Sequence, residues 1–231
     1  MENPYEDPKE PGLPASDMEL HLSRTALVVT DPQVDFLQEG GVAWDLVKKT
    51  AEELNTVENI ERLFKAAKEA DIVVAVSPHY YYQFDHKWKF AGAMEKWMHA
   101  NKMYDRETPY AELKEGSGAD FMPQYKKYIL DGKTIVPSPH KVYGPQQNDL
   151  VLQLQKRDVS QIILAGMSAN LCVESHLREL LERGFEVAVV RDATAAAIIP
   201  EGDGYLAALV NFRFLTSALW WTDEVVEMLK K

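Results

Sequence analysis

The sequence has a single cysteine, Cys172, so no intramolecular disulfide can staple the chain. One thiol in 231 residues suits a reducing compartment, and a cytoplasmic location is expected. No apolar run approaches the roughly 18 residues that a membrane span needs, so no membrane partner is expected. Basic residues are outnumbered, 25 Lys and Arg against 36 Asp and Glu, for a formal net charge of −11. A field of that sign repels a phosphate backbone and argues against nucleic acid as a partner. The N-terminal stretch lacks the basic start and apolar core of a secretory signal. A glycine-rich dinucleotide loop is missing as well: the first apolar run is followed by Asp31-Pro32-Gln33, where a G-x-G-x-x-G turn would be needed.

What is present is ordinary globular composition, 46% hydrophobic and 26% charged, in a length that fits one large domain. Pro4, Pro8, Pro11 and Pro14 prevent regular helix near the start, so residues 1–22 read as an extended arm, loose or wrapped around a neighbouring subunit. Residues 23–231 read as the folded domain. Within it, short β-branched runs alternate with helical periods. The runs are Ala26–Thr30, Ile72–Ser77, Thr134–Ser138, Gln161–Gly166, Val187–Asp192 and Phe212–Thr216. Continuous apolar runs of this length fit strands covered on both faces. Between them Ile60, Leu63, Phe64 and Ala67 keep helical spacing, as do Val173, Leu177, Leu180 and Leu181, with Gly184 where a helix stop belongs. The expectation is an α/β fold: a doubly wound, mostly parallel six-stranded sheet of order 3-2-1-4-5-6 with helices on both faces. Residues 78–123 break the rhythm. They hold no good strand and are dense in aromatics, among them Tyr81, Trp88 and Tyr104, and they read as a lid or insertion.

In open parallel sheets, ligands bind beyond the C-terminal ends of the strands, near the switch in strand order. Asp31, His79, Lys141 and Cys172 each follow a predicted strand, and Asp31 and Cys172 flank the switch point. Their chemistry is compatible. A helix N-terminus and a nearby cation lower a thiol's pKa, so Lys141 and the helix after Cys172 are expected to favour a thiolate. Asp31 can take the thiol proton and return it to a leaving amine, and backbone N–H groups before the helix can hold an oxyanion. Each residue also has a plainer reading: Cys172 as a small buried hydrophobe, Asp31 as a turn former before Pro32, Lys141 as a surface lysine.

At these residues the chain resembles the isochorismatase-like cysteine hydrolases, the superfamily that includes nicotinamidases and N-carbamoylsarcosine amidases. The likeness lies in ALVVTDPQVDF (26–36), KVYGPQQNDL (141–150) and, most specifically, LAGMSANLCVESHLRELLERGFEVAVVRD (164–192). The resemblance implies Cys172 as nucleophile, Asp31 as proton acceptor and Lys141 as electrostatic partner. It also implies an oxyanion hole from the amides of Ser168 and Cys172, a cis Met167–Ser168 peptide, and dimers or tetramers. Gln33, Phe36, His79, Tyr81, Trp88, Asn170 and His176 are the expected substrate-binding residues. His176 lies one helical turn beyond Cys172, where it tunes the thiol or is simply packed. The Asp-x-His pair that holds a metal in nicotinamidases is absent, since the stretch reads Ser77-Pro78-His79. No metal and no cofactor is expected, although His79, Asp85 and His86 can be combined into a ligand set on paper. The retained cysteine points to a C–N hydrolase acting on a small amide, carbamoyl or ureido compound through a thioester. Ether or ester cleavage on the same scaffold, and a non-catalytic binding protein, stay open as alternatives.

Overall fold

The computed structural model describes residues 3–230; the first two residues of the arm and Lys231 lie outside the described residues. β1 (Thr25–Thr30) leads into a single helical turn, α1 (Val34–Leu37), then helices α2 (Trp44–Glu53) and α3 (Thr56–Glu69), and β2 (Val73–Ser77). The insertion after β2 holds a small parallel ladder of β3 (Tyr81–Tyr82) and β4 (Asp105–Arg106), with α4 (Ala93–Ala100) between them. There follow α5 (Lys126–Ile129), α6 (Leu150–Gln155), β5 (Gln161–Met167), α7 (Glu174–Glu182) and β6 (Glu186–Ala195). A short hairpin of β7 (Ile198–Ile199) and β8 (Gly202–Asp203) precedes α8 (Gly204–Leu215), β9 (Ala218–Trp220) and α9 (Thr222–Met228).

The central sheet has the order β2-β1-β5-β6-β9, and all its pairs are parallel. Alternate residues of β1 go to opposite faces, as the period of a strand requires. Leu27 and Val29 pack with Val47, Ile60, Leu63 and Phe64 from α2 and α3. Ala26 and Val28 join Leu154 of α6, Leu177 and Leu180 of α7, and Leu209 and Phe212 of α8 on the other face. Every residue of β1 and β5 is buried, which accounts for their unbroken apolar character. Gly166 has φ +111, and a Cβ there would stand 2.0 Å from the carbonyl oxygen of Thr30 and 2.5 Å from its nitrogen. Only glycine lets β1 and β5 approach beside the site.

The sheet has five strands where six were predicted. Thr134–Ser138 contributes only one bridge, Ile135 beside Ala75 of β2, although it lies at the edge position expected for the third strand. Pro137 and Pro139 lack the N–H groups that would extend that ladder. The predicted sixth strand, Phe212–Thr216, is the end of α8: Tyr205, Ala208, Leu209 and Phe212 form a buried helical stripe, and Asp203 Oδ1 caps the start by accepting from Leu206 N at 2.9 Å. The last strand begins two residues later, at Ala218.

The arm lies on its own domain. Tyr5 Oη donates to Asp203 at 2.7 Å and packs edge-on against Tyr205, and the buried Arg191 donates to Asp7 at 2.6 Å. Met18 is buried against Ala188 and Ala218. No helix among the described residues is long and apolar enough to cross a membrane.

Candidate active site

β1 is followed by Asp31, whose φ of +46 is left-handed, a conformation aspartate tolerates better than most residues. The turn directs its carboxylate across the C-terminal edge of the sheet. His140 Nε2 donates to Asp31 Oδ1 at 2.7 Å, with both side chains wholly buried, while Oδ2 has no hydrogen-bond partner. His140 is held by a parallel bridge to His79, in which its N–H donates to the Pro78 carbonyl at 3.0 Å. The His79 and His140 rings stand 4.6 Å apart.

His79 Nε2 lies 3.2 Å from the Lys141 carbonyl, which can only accept, so in the neutral ring that nitrogen carries the hydrogen and Nδ1 presents a lone pair. That Nδ1 is buried and unpartnered. Burial, then the charges of His140 and Lys141, hold His79 well below the usual histidine range.

Cys172 follows β5 in a π-helical turn, Ala169–Val173, that runs directly into α7. The side chain is 4% exposed. Burial, then the negative charge of Asp31, push the thiol well above its ordinary range, and hydrogen bonds from the amides of Ser168 and Cys172 pull the other way without winning. The resting sulfur is therefore a protonated thiol, not the thiolate expected from the sequence. The Met167–Ser168 peptide is cis. Ligand-type atoms of Asp31, His79, His140 and Cys172 all lie within 4.8 Å of one another.

Lys141 stands apart from this cluster. Its Nζ donates to Asp85 at 2.6 Å and to the Tyr80 carbonyl at 2.8 Å, and sits 3.7 Å above the Tyr82 ring. The contact with Asp31 predicted for Lys141 is thus made one residue earlier, by His140. Adjacent residues of an extended segment point to opposite sides, and the bridge places His140 on the side of Asp31.

Two further expectations change. Gln33 is fully committed to backbone: its Nε2 donates to the His79 and Ala119 carbonyls, both at 2.9 Å, and its Oε1 accepts from His79 N. It positions His79 and has no group left for substrate. His176 is likewise saturated, with Nδ1 on the Cys172 carbonyl at 2.7 Å and Nε2 on Ser77 Oγ at 2.9 Å. Burial drives its pKa down to about 3, so it is a neutral packed histidine that pins the Cys172 backbone. The His79, Asp85 and His86 ligand set does not assemble. Asp85 holds Lys141 and the Tyr82 amide, and His86 lies between Asp105 and His99.

The insertion forms the opposite wall. Tyr104 stacks on His79 with centroids 4.9 Å apart, and Tyr81 meets the same ring edge-on at 4.6 Å. Trp88, half-exposed, stands edge-on to Tyr81 and His99. The hydroxyls of Tyr81 and Tyr104 and Nε2 of His99 are buried without partners. With Asp31 Oδ2, His79 Nδ1 and His140 Nδ1 they make a contiguous group of unsatisfied polar atoms, and native interiors leave few such atoms unpaired unless a ligand or water completes them. Phe36, Met94, Ser168, Asn170 and Leu171 border an adjoining, mostly apolar cavity of about 340 Å³. Tyr104 was read from sequence only as one of the insertion's aromatics, and His99 and His140 were not singled out; for His140 the only signal was the Pro139-His140-Lys141 run.

A family model described as Isochorismatase domain matches residues 25–218. The ureidoacrylate amidohydrolase of Variovorax paradoxus (strain S110) is 25% identical over 200 residues, covering 81% of this chain and 78% of that protein. Among solved structures, a cysteine hydrolase from Pseudomonas syringae pv. phaseolicola 1448A superposes with a TM-score of 0.73 at 23% identity, covering 95% of this chain and 98% of that one. The N-carbamoylsarcosine amidase of Thermoplasma acidophilum gives 0.61 at 18% identity, covering 87% and 97%. The structural neighbours share the fold, and the matched domain runs from the first residue of β1 to the first of β9: the chain belongs to the isochorismatase family of hydrolases.

Proposed function

We propose that this hydrolase cleaves a C–N bond in a small amide, carbamoyl or ureido compound by covalent catalysis at Cys172. The observation that carries the reading is the meeting of the only thiol with an unpartnered carboxylate oxygen, Asp31 Oδ2, in a buried cluster where the amides of Ser168 and Cys172 face the sulfur. Asp31 has two distinct oxygens. Oδ1 is occupied by His140, which leaves Oδ2 to carry a proton.

As Sγ attacks the substrate carbonyl, its proton passes to Oδ2. The carbonyl oxygen becomes an oxyanion that accepts from the N–H groups of Ser168 and Cys172. Collapse breaks the C–N bond, and Oδ2 returns the proton to the leaving nitrogen, which departs as ammonia or an amine. Water then attacks the thioester, its proton going to Oδ2, and the acid product leaves as the thiol is restored. His140 orients Asp31 and occupies the place beside its carboxylate assigned from sequence to Lys141. Because the resting thiol is protonated, deprotonation belongs to the attack itself. The names of the relatives, an amidohydrolase of ureidoacrylate and an amidase of N-carbamoylsarcosine, support this substrate class.

The test is ammonia release from a panel of primary amides, carbamoyl amino acids and ureido acids, combined with mass spectrometry of the quenched enzyme. Turnover with an acyl or carbamoyl adduct on Cys172, both abolished in Cys172→Ser, is the expected result. Turnover that survives Cys172→Ala would overturn the covalent reading in favour of ether or ester cleavage through Asp31.

A further inference from the structure

We infer that Asp31, His79, His140 and Cys172 also form a binding site for a zinc-like divalent cation, one that competes with catalysis. The site is not the Asp-x-His arrangement of nicotinamidases, because it is built from the nucleophile and the carboxylate beside it.

The argument starts from hydrogen-bonding capacity. His79 gives its ring hydrogen to the Lys141 carbonyl, so the neutral ring turns a lone pair on Nδ1 inward with nothing to receive. His140 gives its Nε2 hydrogen to Asp31 Oδ1, which leaves its own Nδ1 as a second buried lone pair. Asp31 Oδ2 is a third. Asp31 and His140 are 0% exposed and His79 is 1%. Three unpartnered acceptors therefore gather beside the thiol, with the Tyr81 and Tyr104 hydroxyls as neighbouring unpartnered O–H groups. A cation satisfies such a group better than any single water.

The donor types narrow the choice of ion. One sulfur, one imidazole nitrogen from each histidine and one carboxylate oxygen suit Zn²⁺ or Co²⁺, and do not suit Mg²⁺ or Ca²⁺. A tetrahedron with zinc-to-ligand lengths near 2.0–2.3 Å has edges of roughly 3.3–3.8 Å. One ligand-type atom from each of the four residues already lies within 4.8 Å of the others, about 1 Å from those edges. The His140–Asp31 hydrogen bond, 2.7 Å long, uses Nε2 and Oδ1 and so leaves Nδ1 and Oδ2 for the ion. The Lys141 carbonyl already orients His79, as backbone carbonyls commonly orient metal-bound imidazoles. Binding releases the thiol proton to solvent, and thiolate plus carboxylate then balance the two positive charges. A sulfur bound to the ion cannot attack a carbonyl, so the cation inhibits. That consequence rests on Cys172 being the nucleophile; the metal site does not.

The experiment is titration of metal-stripped, full-length protein with Co²⁺, followed by absorption and then by displacement with Zn²⁺. One equivalent should give visible bands of four-coordinate cobalt and a near-ultraviolet sulfur-to-cobalt band, both lost on adding Zn²⁺. Cys172→Ser should abolish the sulfur band, and His79→Ala should weaken binding by about tenfold or more. His86→Ala, which alters a histidine outside the set, should leave the spectrum unchanged. Absence of the sulfur band, its persistence in Cys172→Ser, or undiminished affinity in His79→Ala would overturn the site. The readout is optical and needs no substrate. Cobalt binding without amide turnover would sink the proposed function alone, and amide turnover without the sulfur band would sink this inference alone.

Discussion

Replacing Asp31 by Asn should separate two quantities that are usually taken together, the ease of forming the thiolate and the rate of catalysis. Asn keeps an oxygen for the His140 N–H at the Oδ1 position, so the buried hydrogen bond survives and the fold is preserved. The negative charge disappears. Since that charge is, after burial, the next cause of the raised thiol pKa, the alkylation midpoint of Cys172 should move down. Catalysis should move the opposite way, because the amide that replaces Oδ2 cannot accept a proton. General acid–base assistance is worth about 10²–10⁴-fold, so kcat/KM should fall by that factor, roughly 2.7–5.4 kcal/mol of transition-state stabilisation. The assay is the rate of iodoacetamide labelling against pH, read by mass spectrometry, beside ammonia release by the same preparations. A labelling midpoint that stays put or rises would refute the electrostatic argument. Retention of turnover within about tenfold would refute the role of Oδ2.

Three other outcomes are expected. His140→Ala removes a buried hydrogen bond to a carboxylate, worth about 1.5–3 kcal/mol, and should lower kcat/KM by roughly 10²-fold, whereas Lys141→Ala should stay within about tenfold; steady-state kinetics giving the reverse order would restore the lysine to the role. Gly166→Ala forces a Cβ against the Thr30 backbone at a left-handed φ and should cost about 3 kcal/mol or more in urea denaturation; a loss under 1 kcal/mol would show that β1 and β5 can part. His176 has a folded pKa of about 3 against 6.5 for the free group, so between those values the unfolded chain binds a proton that the native one refuses. Its stabilising effect is intact above about pH 6.5 and is lost at about 1.4 kcal/mol per pH unit as pH falls; urea midpoints at pH 7.5 and 5 should differ by less in His176→Gln, and an unchanged difference would refute the assignment.

The fold was largely legible because its signals are local and repeated. β1, β2, β5 and β6 appear as apolar runs buried on both faces, and α3 and α7 as stripes with helical spacing. The failures come where two signals overlap. Phe212, Phe214 and Leu215 look like a strand over five residues, but Phe212 continues a buried helical stripe from Tyr205, Ala208 and Leu209 while Phe214 is exposed, and the longer pattern wins. At 134–138 the β-branched start was right about position, beside β2, but the prolines stop the ladder after one bridge.

The site was legible to the level of strand ends and illegible at the level of a single register. Asp31 and Cys172 follow fully paired strands, so their side-chain directions are inherited from ladders the sequence announces. Residues 139–141 follow no ladder. Their direction is set by the His79–His140 bridge and by Gln33, whose amide grips the His79 backbone from both sides. A slip of one residue in such a segment exchanges the side facing the cavity. Here it turns Lys141 outward to Asp85 and Tyr82, and brings an imidazole to Asp31. The exchange changes the chemistry available. A lysine beside the carboxylate would be a fixed cation with no lone pair in its charged form, whereas a histidine leaves an unpartnered nitrogen next to a second one on His79. The same one-residue register that places His140 on Asp31 is therefore what assembles a ring of acceptors around the thiol, and His140→Lys should both erase the cobalt sulfur band and leave the carboxylate with a cationic neighbour. Retention of that band in His140→Lys would mean that the imidazole at 140 is not part of the metal set.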